Sequence, residues 1–302
     1  MQDRLSHNRF LPTILLFVVA AIWGSGFVAS QMALDAGVTP ELLMFVRFTV
    51  AALVILVVFH KQLFARLCRS HLRDGAIIGV FLFLAFYIQI VALQYTTPSN
   101  NAFITATNVV MVPFIWWGVT GKRPDKRIFL SSVLCLVGIA VLSMRLAEGL
   151  ALSAGDLLTL ACAFFFACQI AATGRYAERM DTVVLVFLQF AVAAILSFVT
   201  FVAVDGDLTP LLSASGLGSV LYLGLFSTCL CYFLQTTAQR YVSSSKAAII
   251  LACESLFGTL FSVLLGYDKL TLPMLVGGTI IIISLVLTET TPAPLVQAIE
   301  ET

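Results

Sequence analysis

ALQYTTPSNNAFITATNVVMVPF, residues 92–114, lies on AQRYVSSSKAAIILACESLFGTL, residues 238–260, at a constant offset of 146. Tyr95 meets Tyr241, Ser99 meets Ser245, Ala102 meets Ala248, Ile104 meets Ile250 and Ala106 meets Ala252; upstream, Gln89 meets Gln235. Nearer the N-terminus, FVRFTVAAL from Phe45 lies on FLQFAVAAI from Phe187 at an offset of 142. Matches in order over that distance mean that the chain is built as two related halves.

Composition says what the halves are made of. Of 302 residues, 60% are hydrophobic and 11% charged, where a soluble domain carries roughly 25% charged residues. The apolar runs are long and continuous, unlike the alternating segments of about ten residues that make barrel strands. In lipid, such runs satisfy their backbone groups as helices. Ten candidate spans follow, at about 11–33, 40–59, 74–95, 99–119, 127–144, 156–174, 182–204, 215–239, 243–266 and 271–289. The predicted fold is an all-α membrane protein, with a first repeat over 1–144, a second over 145–290 and a C-terminal tail at 291–302. The first run follows Arg4 and Arg9 as a signal peptide would, but it continues without a small-residue cleavage site and is kept as a span.

Five helices per half is an odd number, so the two halves enter the membrane from opposite sides. Such an inverted repeat has its pseudo-two-fold axis in the membrane plane, and its solute site tends to lie near the midplane between the halves. With the N-terminus inside, fourteen of the 17 Lys and Arg residues fall on the inner side, Arg145 and Lys269 on the outer side, and Arg47 within a span. That asymmetry predicts both termini in the cytoplasm.

Polar residues in the spans are then the candidates for function. Glu254 is a lone carboxylate near the middle of the ninth span, and a charge at mid-bilayer faces a bundle interior or a wet cavity. It is open to three readings: a site for a substrate ammonium, a proton carrier, or a carboxyl held protonated in a hydrogen bond. Asn101, Thr105 and Asn108 recur at i, i+4 and i+7 on the fourth span, one helical face, which reads as a cavity wall or as interhelical glue. The offset of 146 sets Asn108 opposite Glu254. Arg47 either pairs with a carboxylate, binds the acidic end of a solute, or snorkels to the outer headgroups; its repeat mate Gln189 is neutral. Trp23, halfway along its span, stacks on a solute or packs beside Gly24 and Gly26. Gln89 and Gln235 complete the candidate set, with Gln31, Gln94, Gln169 and Gln189 in the same tier.

Other chemistry is not indicated. The seven cysteines contain no CxxC, and six lie within apolar runs as small hydrophobes. His7, His60 and His71 form no metal-binding pattern, and there is no GxxxxGK[ST] for ATP. No cofactor, metal or nucleic-acid partner is expected. Gly75 and Gly79 form a GxxxG whose expected use is close packing inside the bundle, with a homodimer face as the alternative.

WGSGFVASQMAL at Trp23, ELLMFVRFTVAAL at Glu41, TTPSNNAFITATNVVMVPF at Thr96, GDLLTLACAFFFACQ at Gly155 and SSSKAAIILACESLFGTLFSVLLGYDKLT at Ser243, in that order, resemble the drug/metabolite transporter superfamily. The resemblance is to its EamA branch of ten-helix bacterial permeases, over essentially the whole chain. It implies export of a small metabolite, often an amino acid or related compound, across the bacterial inner membrane by alternating access. It also marks two departures. Family members commonly carry Glu-Pro in the ninth helix and a Glu after the glycine that ends it, whereas here Ser255 follows Glu254 and Asp268 stands two residues after Gly266. Without that proline the ninth helix is predicted to kink less than the fourth, which keeps Pro113. The expected partners are a small-molecule substrate, the bilayer and, where Glu254 titrates, protons, with the protein a monomer or weak homodimer. The competing readings are a facilitative uniporter or channel-like permease for nucleobases, sugars or drugs, and a membrane-embedded enzyme, for which Glu254 lacks a catalytic partner.

Overall fold

Thr39, Thr97, Ser153, Asp181, Ser213 and Ser243 each stand just before a helix, and each side-chain oxygen accepts a backbone N–H of the first turn. Caps of this kind are worth about 1 kcal/mol each and fix where a helix starts. In the computed structural model, which describes residues 10–142, 153–266 and 269–289, the chain forms α1 (Leu11–Asp35), α2 (Pro40–Arg66), α3 (Arg69–Leu93), α4 (Pro98–Thr120) and α5 (Lys126–Leu142). The second half forms α6 (Ala154–Ala177), α7 (Thr182–Ala203), α8 (Ala214–Ala238), α9 (Ser244–Leu264) and α10 (Leu272–Glu289). A short 3-10 turn, Thr209–Leu212, precedes α8. No strand occurs among the described residues. The last residues of the fifth predicted span, most of the connection to the sixth and the tail at 291–302 lie outside the described residues.

The helix contacts come in pairs related by the repeat. α1 packs on α9 as α6 packs on α4; α3 packs on α6 as α8 packs on α1; and α3 packs on α7 as α8 packs on α2. The mates α5 and α10 lie against each other, as do α2 and α7. This is an inverted repeat of two five-helix halves. The GxxxG of α3 serves it from within: a Cβ on Gly75 would lie 2.4 Å from the Leu188 Cβ, and one on Gly79 would lie 2.6 Å from the Val192 Cβ, both on α7. Val57, Phe64, Ile195, Phe198 and Val202 remain exposed on the outside of α2 and α7, as befits side chains that face lipid in a multi-pass membrane protein.

Two sequence expectations are corrected here. The basic stretch from Lys61 to Arg73 is largely helical: α2 continues past non-helical Phe59 (φ −116°, ψ 19°) to Arg66, and α3 begins at Arg69. More consequentially, α9 is interrupted as fully as α4. α4 divides into Pro98–Thr105 and Asn108–Thr120, α9 into Ser244–Leu251 and Glu254–Leu264; the first three boundaries obey the offset of 146, and only the final end differs, by two residues. At both breaks the backbone tightens to i→i−3 bonds: Thr107, Val109 and Val110 donate to Ile104, Ala106 and Thr107, while Cys253, Ser255 and Leu256 donate to Ile250, Ala252 and Cys253. The ψ angles of Ala106 and Ala252 are −11° and −15°. Proline is not the common cause, since the mate of Pro113 is Thr259. Each break also holds a hydroxyl bonded to a main-chain carbonyl three residues back, Thr107 to Ile104 O at 2.6 Å and Ser255 to Ala252 O at 2.8 Å, but Ser25, Thr200 and Ser284 make the same bond within continuous helices, so the bond accompanies the breaks rather than causing them.

Candidate functional site

The breaks make Asn108 and Glu254 the first residues of the second halves of their helices. Both side chains line a cavity between the two repeats, with about 600 Å³ of non-protein space, part of it open to solvent. Its lining extends from Asn108 and Glu254 to Ser30, Arg47, Leu93 and Asn101, residues on the side of the 36–39 and 94–97 connections. At the opposite end, Leu16, Val19, Val112, Ala238, Ala247, Ala248 and Ile250 belong to one apolar cluster. Arg66 pairs there with Asp181, Arg175 donates to Val119 O at 2.7 Å and Gln239 to Ile170 O at 3.0 Å.

Seven of the eight side chains singled out in the sequence line this one cavity: Trp23, Arg47, Gln89, Asn101, Thr105, Asn108 and Glu254. Gln235 does not. It is fully buried, and neither its amide nitrogen nor its oxygen has a protein partner. On the first-half wall, Gln89 Nε2 donates to Thr105 Oγ1 at 3.2 Å, and Asn101 Nδ2 donates to Gln89 O and Thr159 Oγ1, both at 3.2 Å. These bonds tie α4 to α3 and α6, so the polar face joins helices and lines the cavity at once. The side-chain oxygens of Asn101 and Asn108 remain unpaired. Trp23 Nε1 donates to Ser227 O at 2.8 Å, and its ring lies 5.1 Å from that of Tyr232.

Glu254 is 6% exposed and forms no hydrogen bond or ion pair among the described residues. Arg47 departs from two of its three readings. It does not snorkel, being 1% exposed, and it pairs with no carboxylate among the described residues. Instead its Nε donates to Thr228 Oγ1 at 3.0 Å and its guanidinium lies over the Phe86 ring, 4.0 Å from the centroid. Among the further glutamines, Gln169 lines the cavity and donates to Gln189 Oε1 at 3.3 Å. Gln94 is exposed, and Gln31 bonds Asp35 at 2.8 Å.

Sequence reasoning passed over Tyr232 and the partners of Trp23 and Arg47 on α8. Tyr232 has the signal that drew attention to Trp23, a polar-tipped aromatic in mid-span. The α8 partners have no such signal: residues Leu223–Leu230 are wound as a π-helix, so the cavity-lining step from Ser227 to Tyr232 is five residues, which a period of 3.6 does not place on one face. A π segment is rare and often sits at a functional site.

Among the described residues, ten helices in two inverted halves enclose a polar-lined cavity at a matched pair of helix breaks, the architecture of a polytopic membrane protein. The profile of the EamA-like transporter family matches residues 11–144 and again 153–290, and the chain belongs to that family. It is 34% identical over 282 residues to an uncharacterized transporter of Archaeoglobus fulgidus, covering 93% of this chain and 86% of that one. A second uncharacterized transporter of the same organism is 26% identical over 285 residues, 91% of this chain and 96% of the other. A chain of known crystal structure, 19% identical, superposes with a TM-score of 0.76 over 93% of this chain and 96% of its own length, a likeness of fold. The protein is accordingly a transporter rather than an enzyme.

Proposed function

We propose that the protein exports a small metabolite, an amino acid or a related compound, across the bacterial inner membrane by alternating access, with both termini in the cytoplasm. The observation that carries this reading is the convergence of polar side chains from both halves on one cavity at the α4 and α9 breaks. Discontinuous helices at mid-depth present half-helix ends to a solute and allow one half to rock against the other. With the basic loops inside, the cavity opens outward and the apolar cluster with the Arg66–Asp181 pair closes the cytoplasmic end. Glu254, the one carboxylate on the wall among the described residues, alternates in this reading between a proton and the cationic group of the solute.

The test is counterflow in proteoliposomes. Saturable uptake of a labelled amino acid against an unlabelled internal pool, with competition between related compounds, is the expected outcome. Flux that neither saturates nor shows competition would replace the transporter by a channel-like permease, and saturable flux of sugars or nucleobases alone would replace the amino acid.

A further inference from the structure

Arg47 brings a permanent charge to the cavity wall and leaves it uncompensated. Its neighbours are the hydroxyl of Thr228 and the rings of Phe86 and Phe48, whose centroids lie 4.0 and 5.7 Å from Cζ. A neutral acceptor and two ring faces orient a guanidinium without neutralising it, and burying a charge with no counter-ion is costly. One terminal nitrogen, Nη2, has no partner. The repeat does not require the charge: Gln189 at the equivalent place is buried, bonded to Gln169, and absent from the cavity wall.

Tyr232 supplies a second unused donor. It is fully buried, its ring is fixed against Trp23, Phe86 and Phe190 at centroid distances of 5.1, 6.0 and 6.0 Å, and its hydroxyl has no partner. Arg47 and Tyr232 both pack against Phe86 and both line the cavity. Glu254 lines the same cavity, so the wall carries both a cationic and a carboxyl group.

We propose that Arg47 and Tyr232 form an anion subsite in the wall of the cavity, one that receives a carboxylate or other oxyanion of the solute. The planar guanidinium, with Nε held by Thr228, keeps Nη2 for the anion, and the phenol hydroxyl adds a directed hydrogen bond. The surrounding Trp23, Phe27, Phe86 and Phe166 suit an apolar or aromatic body, and Glu254 receives the cationic end. The solute is then a zwitterion bound across the cavity between α2 and α9. This inference rests on the cavity being the transported solute's site.

Equilibrium binding to the purified full-length protein, read by titration calorimetry, tests it with four probes: 3-phenylpropionate, phenethylamine, phenylalanine and inorganic phosphate. Phenylpropionate and phenylalanine are expected to bind. Arg47→Gln should weaken both by at least about tenfold and Tyr232→Phe by about threefold, a hydrogen bond to a charged group being at stake; both variants should leave phenethylamine unchanged. Binding of phosphate alone, lost in Arg47→Gln, would support the subsite and assign it to phosphoryl solutes. Failure of both anions to bind the wild type would overturn it, as would anion binding indifferent to Arg47→Gln and Tyr232→Phe, or an equal loss of phenethylamine. Should Arg47→Gln not fold, Tyr232→Phe and the wild-type panel decide. Counterflow separates the two readings: Arg47-dependent anion binding without counterflow would overturn transport and keep the subsite, whereas saturable counterflow without such binding would overturn the subsite alone.

Discussion

Helices α4 and α9 share a backbone and differ in what they show the cavity. Each is capped by a hydroxyl residue, Thr97 or Ser243, and each is interrupted after eight residues and resumed at the third position beyond. Yet the face that reads Asn101, Thr105, Asn108 on α4 reads Ala247, Leu251, Glu254 on α9. Ala247 belongs to the apolar cluster at the sealed end. The difference extends to their neighbours: Gln89 meets Thr105 and lines the cavity, while its mate Gln235 is sealed with both amide atoms unpaired. The repeat dictates the fold of each half, and side-chain chemistry decides which end is wet. In a two-fold molecule that alternates, the orphaned polar atoms of Gln235, Gln239 and Ser244 are the groups that opening the sealed end would hydrate.

The largest effect should come from breaking the seam between α1 and α9. A Cβ on Gly24 would lie 2.5 Å from the Phe257 Cβ and 2.6 Å from the Gly258 main-chain nitrogen, and backbone cannot yield as a side chain can. Gly24→Leu should cost about 3 kcal/mol or more, read as loss of the monodisperse folded peak in detergent. Gly118, with nothing within 4 Å of an added Cβ, is the control, and Gly118→Ala should be neutral.

The two polar residues at the breaks are next. Glu254→Gln should abolish any dependence of transport on a pH gradient while membrane insertion stays intact; pH-driven uptake at the wild-type rate would exclude the carboxylate as proton carrier. Asn108→Ala should lower solute affinity by about three- to tenfold, the worth of a hydrogen bond or two. Unchanged affinity across a solute panel would remove α4 from the binding face.

The glutamine pair sharpens the contrast between wet and sealed ends. Gln235→Leu removes an unsatisfied buried amide and should raise stability by about 1 kcal/mol, whereas Gln89→Leu removes a satisfied one and should lower it by a similar amount. If opening the sealed end hydrates Gln235, the leucine variant should also slow turnover more than it changes affinity. Equal stability changes for the two variants would erase the distinction. Smallest of all is Pro113→Ala. Because α9 breaks without a proline, α4 should keep its break and its transport rate within about twofold, with a stability change below about 1 kcal/mol.

Much of this architecture was legible in the chain, and for a physical reason. A span must hide every backbone polar group from lipid, so helices announce themselves as long apolar runs, and duplication with five spans per half gives their inverted sense. The same economy marks the wall: a polar residue in mid-span is expensive unless it faces a cavity, and Asn101, Thr105, Asn108, Glu254 and Arg47 stand out on that ground alone. What the sequence left open depended on contacts between residues far apart. Arg47 as a snorkelling residue and Arg47 over Phe86 are the same letter in the same run, and only the packing of α2 against α3 and α8 separates them. The break in α9 was hidden because it carries no proline: its turn of i→i−3 backbone bonds leaves no mark in the residue types. Gln89 and Gln235 are equivalent in the repeat, and which of them is wet is decided by the conformation of the whole bundle. The sequence by itself thus determined the helices, their duplication and which polar residues lie within the spans, since these follow from the repeat and from the cost of exposing polar groups to lipid. The tertiary structure alone decided which of those residues meet, because that depends on how two similar halves lean on each other.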